Sequence, residues 1–146
     1  MGRIEAVCIG QEKGEKKATV KTGELIANFG LKGDAHGGPG PLQISMLPLE
    51  GVLDFSLLEQ EIEPGAFGEN LLVSRVDFSS LSVGDRLKIG PKAIAEITQI
   101  GKECTHPCGI FYILGRCIMP TEGVFLRVIR GGKIKKGDTV TRLCIL

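Results

Sequence analysis

The chain carries no excess of either charge. Its 18 Lys and Arg against 17 Asp and Glu leave a net charge of +1 over 146 residues. Nothing global therefore points to nucleic acid or to a membrane surface. No stretch approaches the roughly 20 apolar residues that span a bilayer. The opening MGRIEAVCIGQEKGEKK has no continuous apolar core of the kind a secretory signal requires. Linkers and low-complexity tracts are missing, and helix signals are few. The five cysteines are an odd number, in a chain too long to need stapling, so reduced thiols in the cytoplasm are the simpler reading. These absences lead to the expectation of one cytoplasmic domain over residues 1–146, burying roughly 68% of the surface its unfolded chain exposes.

What the chain has in quantity is glycine: 21 residues, about twice the average share and without a collagen-like period. That density suits tight turns and bulges, and hence a β-rich fold. Period-two alternation marks strands in GDRLKIG (84–90), where Leu87 and Ile89 oppose Arg86 and Lys88. It recurs in GVFLRVIRGGKIKKGDTV (123–140), where Val124, Leu126 and Val128 share a face and Gly131-Gly132 predicts a hairpin turn. KKATVKT and KAIAEITQI are weaker strand signals. Gly-Asp at 33–34, 84–85 and 137–138 marks turns. One helix is expected within LPLEGVLDFSLLEQE (47–61), with Pro48 in its first turn, and a short one after Pro107. The fold class read from this pattern is mostly β, a small closed or nearly closed barrel with one or two packed helices.

Three stretches could carry chemistry. GLKGDAHGGPGPLQIS (30–45) packs Lys32, Asp34 and His36 among glycines that let a ligand approach the backbone, and the two basic groups could meet an anion. The plainer reading is a solvated loop whose Asp34 bonds its own backbone. GAFGENLLVS (65–74) sets Glu69 and Asn70 before an apolar strand, where they could read a polar ring edge or simply turn the chain. IGKECTHPCGIFY (100–112) places Cys104, His106 and Cys108 within five residues. Three ligands at this spacing match no standard zinc site, and three residues between the thiols are one too many for a dithiol redox pair. A single reactive thiolate at Cys108 fits better: in the first turn of a helix after Pro107, with Lys102 and His106 nearby, its pKa would fall. A buried inert cysteine competes on equal terms. Cys8, Cys117 and Cys144 read as packing, and Arg127, Arg130, Lys133, Lys135 and Lys136 as the outward face of a hairpin.

Together these stretches resemble the MOSC domain, named for the C-terminal domain of molybdenum cofactor sulfurase. The resemblance rests on GLKGDAH (30–36), QIS (43–45), FGEN (67–70), VGDRLKIG (83–90), HPC (106–108) and RVIRGGKIKKGD (127–138), six segments in family order across most of the chain. It implies a barrel-like β fold and a role in sulfur or molybdenum-cofactor chemistry. Cys108 would be the working thiol, carrying a persulfide or ligating molybdenum in a bound molybdopterin, with Cys104 as accessory or bystander. Lys32, Asp34, His36, Gln43, Ser45, Glu69, Asn70, Lys102 and His106 would line the cofactor cleft. It also implies a cysteine desulfurase as sulfur donor, pyridoxal phosphate held by that partner and not by this chain, and a cofactor-biosynthesis or molybdoenzyme partner. A non-catalytic module for molybdopterin delivery is the alternative. A molybdenum-dependent reductase of N-hydroxylated compounds is a third, which the short chain disfavours. Relatives often carry Arg before the Q-[VI]-S segment, where this chain has Leu42. That change removes a bidentate anion contact.

Overall fold

The computed structural model describes residues 2–12, 16–56, 63–101 and 123–143. In chain order these form β1 (Gly2–Ile9), β2 (Ala18–Val20), β3 (Thr22–Ile26), β4 (Gly30–Leu31), β5 (Ile44–Pro48), α1 (Leu49–Ser56), β6 (Leu71–Ser74), β7 (Arg86–Ile89), β8 (Ala93–Ile100), β9 (Val124–Arg130), β10 (Gly132–Lys135) and β11 (Thr139–Leu143). A single 3-10 turn at Phe78–Ser80 precedes β7.

Seven strands run in the order β11-β7-β8-β9-β5-β6-β1, and β1 pairs back onto β11 through Gly2↔Val140 and Arg3↔Thr139, closing a barrel. Closure leaves no barrel edge unpaired. All the barrel pairings are antiparallel except β5 with β6, whose connection includes α1. Strand β2 extends the sheet beyond β1, and β10, β3 and β4 make a separate three-stranded sheet.

Alternation decides which side chains fill the barrel. Met46, Leu71, Val124 and Leu126 belong to the main core. It is continuous with Leu25, Leu31 and Ile134, so the small sheet packs onto the barrel. The neighbours of opposite phase, Leu47, Leu72 and Phe125, form a second cluster with Ala6, Cys8 and Phe67. Val52 of α1 is part of it, and Leu42 and Leu49 pack against it. The barrel wall is thus buried on both faces where α1 lies, which is why β5 and β6 are buried almost end to end and do not alternate.

The strands expected from alternation are present, and Gly33, Gly84 and Gly137 of the three Gly-Asp turns all adopt positive φ. Two expectations need correction. The segment after Gly131 does not fold back on β9 as a hairpin: β10 pairs with β3, from Gly132↔Leu25 to Lys135↔Thr22. At Gly131 a Cβ would lie 2.5 Å from the Leu25 carbonyl oxygen, so this glycine lets β9 pass under β3 and change sheets. Pro48 ends β5 and does not open α1. Its fixed φ suits a strand end as well as a first helical turn. The expected extension of the helix through 57–61, the helix after Pro107, and Cys117 and Cys144 lie outside the described residues.

Candidate functional site

The register of β1 on β2, ending at Ile9↔Ala18, sets Gly10 opposite Lys17. The Lys17 stem folds over Gly10, where a Cβ would stand 2.8 Å from its Cγ. The ammonium is thereby turned inward, toward the loop that carries Asp34 and His36. Gly10 holds that loop from both sides: its N–H donates to Asp34 Oδ1 (2.9 Å), and its carbonyl accepts from the Ala35 N–H (2.8 Å).

At the centre Lys17 Nζ donates to Asp34 Oδ1 at 2.7 Å, with both side chains fully withdrawn from solvent. The same ammonium lies 3.1 Å from His36 Nδ1, while Asp34 Oδ2 accepts the His36 backbone N–H at 3.0 Å. Asp34 does bond its own loop backbone, as the plainer reading held, but in a buried setting. Burial pushes its carboxyl upward. The backbone N–H groups of His36 and Gly10 and the Lys17 ammonium outweigh that, and it titrates well below the usual carboxylate range. The His36 side chain remains 26% exposed. Lys32 is exposed, and its N–H is taken by the Glu24 carbonyl.

The other polar residues named from the motifs are buried, and their side-chain atoms mostly bind backbone. Gln43 Oε1 accepts the Val128 N–H at 2.9 Å, and its amide reaches Asn28 Oδ1 at 3.4 Å. Asn70 Oδ1 accepts the Ser45 N–H (3.0 Å), and Asn70 Nδ2 donates to the Cys8 carbonyl (3.1 Å). Ser45 Oγ accepts the Asn70 N–H at 3.1 Å. Glu69 accepts the N–H groups of Gly65 (2.9 Å) and Phe67 (3.1 Å), locking the turn before β6. Burial raises the Glu69 pKa against the pull of those bonds. The Cys8 thiol, also buried and beside Glu69, is pushed up to about 12, so it is no nucleophile at neutral pH.

Lys102, Cys104, His106 and Cys108 lie outside the described residues. Their flanks are described. The Gly101 N–H donates to the Gly123 carbonyl at 2.7 Å, so the two flanks of the segment meet. Next to that point β8 carries a register shift between Ile97 and Gln99. Thr98 Oγ1 in this bulge bonds the carbonyl oxygens of Phe125 and Pro41. Pro41 belongs to the loop that carries Asp34 and His36. The loop and the base of the cysteine segment are therefore tied together.

Comparison with known proteins settles the family. The MOSC domain model matches residues 33–141. The chain belongs to the MOSC domain family. Its fold resembles that of the YUAD protein from Bacillus subtilis (TM-score 0.76, 22% identity, 96% of this chain and 94% of that one). It also resembles YiiM from Geobacillus stearothermophilus (TM-score 0.74, 18% identity, 99% and 76%). A protein named "Reductase" from Gibberella moniliformis is 32% identical over 89 residues, 54% of this chain. The chain spans only 15% of that reductase. MOSC domains are associated with the molybdenum cofactor.

Sequence reading missed Lys17. It sits in the charged run EKGEKK, which looks solvent-facing, and it precedes the MOSC match. Its inward turn is set by partners on another loop, Asp34 and His36, which the local string does not show.

Proposed function

We propose that this MOSC domain serves molybdenum-cofactor chemistry through Cys108, as a carrier of sulfane sulfur. The observation that supports the reading is the hydrogen bond from Thr98, just before the segment bearing Cys108, to Pro41 of the loop bearing His36. In the transfer, the Cys108 thiolate attacks the terminal sulfur of a cysteine persulfide on a desulfurase. A new S–S bond forms at Cys108 as the donor's S–S bond breaks, and the donor departs as a thiolate, with no net oxidation. An exposed ammonium at Lys32 and the partly exposed His36 ring would steady the anionic product.

The described residues fit a molybdenum–pterin group in part. Lys32 and His36 could bind oxo or phosphate oxygens, but the buried Lys17 charge is already neutralised by Asp34. Among the described residues no set of three His, Cys, Asp or Glu could hold a metal. The soft ligand such a centre favours would be Cys108. When bound, the group would supply a redox-active metal, and this chain would contribute the thiolate and the oxygen-binding donors. A reductase role is the second reading, favoured by the likeness to the Gibberella moniliformis protein named "Reductase".

The test is intact mass spectrometry after incubation with a cysteine desulfurase and cysteine, with thiol blocking, on wild type and Cys108→Ser. A sulfur-sized gain, reversed by reductant and missing in the variant, is expected. No gain in wild type, with Cys108 still alkylatable, would overturn the carrier reading and turn attention to pterin and metal content.

A further inference from the structure

We infer that Lys17 is a positioning residue that fixes His36 as the neutral Nε2–H tautomer, so that this histidine meets its ligand as a hydrogen-bond donor and not as a base. The inference rests on the reading that His36 borders the site.

An ammonium has three donors and no acceptor. Lys17 Nζ spends one hydrogen on Asp34 Oδ1 at 2.7 Å and stands 3.1 Å from His36 Nδ1. A hydrogen on Nδ1 would point at the ammonium's own hydrogens. Its other acceptor would be Asp34 Oδ2, 3.5 Å away, beyond a good hydrogen bond and already taken by the His36 N–H. Nδ1 is therefore the acceptor, and the single hydrogen of the neutral ring sits on Nε2.

The ammonium cannot move aside. Gly10 underlies its stem, the Lys17 N–H is held by the Gly65 carbonyl at 2.8 Å, and Asp34 is itself anchored by two backbone N–H groups. A lysine fully withdrawn from solvent is costly to bury unless paired, and here the pairing also orients a partly exposed ring. The ring is thus built to present Nε2–H to an acceptor such as an oxo, phosphate or carbonyl oxygen, or an anionic sulfur. It has no lone pair at Nε2 to receive a proton. A ligand group offering only donors would be rejected at this position.

The test uses protein labelled with 15N-histidine and long-range 1H–15N correlation at pH 8, without ligand. The chain has two histidines, and His36→Asn identifies the His36 ring by loss of its signals. The expected result is a pyridine-like Nδ1 and a pyrrole-like Nε2. The Nδ1–H tautomer, or a fast mixture of both, would overturn the proposal. Lys17→Met keeps the stem over Gly10 but removes the donor, and the pattern is expected to shift toward Nδ1–H. Where that variant fails to fold, Lys17→Met combined with Asp34→Asn removes both charges and is expected to give the mixture. A wild-type pattern retained in either folded variant would contradict the role of Lys17. Because the tautomer is read in the free protein, its outcome is separate from sulfuration of Cys108. A confirmed tautomer with no persulfide would sink the carrier reading alone.

Discussion

Two buried polar patches lie near Cys8, and they spend their hydrogen bonds differently. Around Asn70 and Glu69 almost every side-chain atom binds backbone: the Ser45, Gly65 and Phe67 N–H groups and the Cys8 carbonyl. Around Asp34 the side chains bind one another as well, and one ring keeps an exposed edge. The first patch is scaffold, joining β1, β5 and the turn before β6. The second is also stabilising, but it delivers a group to the surface. Both motifs looked alike as strings of polar residues among glycines, and only the destination of each hydrogen bond separates them.

Removing one centre at a time should separate the two patches. The largest loss is expected for Asp34→Ala, which strands a fully buried ammonium. Breaking such a pair costs about 3–5 kcal/mol, and a fall of that size in urea-unfolding stability checks it. Asn70→Ala should cost about 2–3 kcal/mol, because the Ser45 N–H and the Cys8 carbonyl lose their partners. An unchanged unfolding midpoint would show that Asn70 is not scaffold.

The two carboxyls should respond to pH with opposite sign. Asp34 has a lowered folded pKa, so its contribution is complete above the unfolded value near 4 and is lost as pH falls toward the folded one. The stability deficit of Asp34→Asn should therefore shrink in acid. Glu69 has a raised folded pKa, so ionisation weakens the fold as pH rises above the ordinary value. Glu69→Gln should consequently gain on wild type as pH rises from 4 toward neutrality. Unfolding curves across pH 3–8, an interval of about five units spanning the ordinary carboxyl range, would show two slopes of opposite sign.

The smallest effect on stability is expected for His36→Asn. Asparagine Oδ1 can replace Nδ1 as the acceptor for Lys17, while the Nε2 donor disappears. A change within about 1 kcal/mol is expected, checked by thermal unfolding. A much larger loss would make His36 scaffold like Asn70.

Much of this architecture was legible in local sequence. Strict alternation in Arg86–Ile89 and Val124–Arg130 reports a strand with one face in a core, and Gly33, Gly84 and Gly137 mark turns that favour positive φ. The sheet exchange after Gly131 was not legible. Gly-Gly between two alternating segments also describes a hairpin, and the reason for the difference is the Leu25 backbone more than a hundred residues away. Lys17 was hidden for the same cause. Its neighbour Lys16 is charged and exposed, whereas its partners come from a separate loop. Barrel closure of β1 on β11 joins the two ends of the chain and leaves no local trace.

If the molybdenum-cofactor reading holds, the His36 loop and Cys108 serve one site. The most direct measurement is the yield of Cys108 persulfide in wild type and in folded His36→Asn under the same load of desulfurase and cysteine, with Cys108→Ser as the blank. A clearly lower yield is expected in His36→Asn with its fold intact, because the persulfide anion loses the Nε2–H donor. A yield equal to wild type would contradict it and separate the buried Lys17–Asp34–His36 cluster from the chemistry of the thiol.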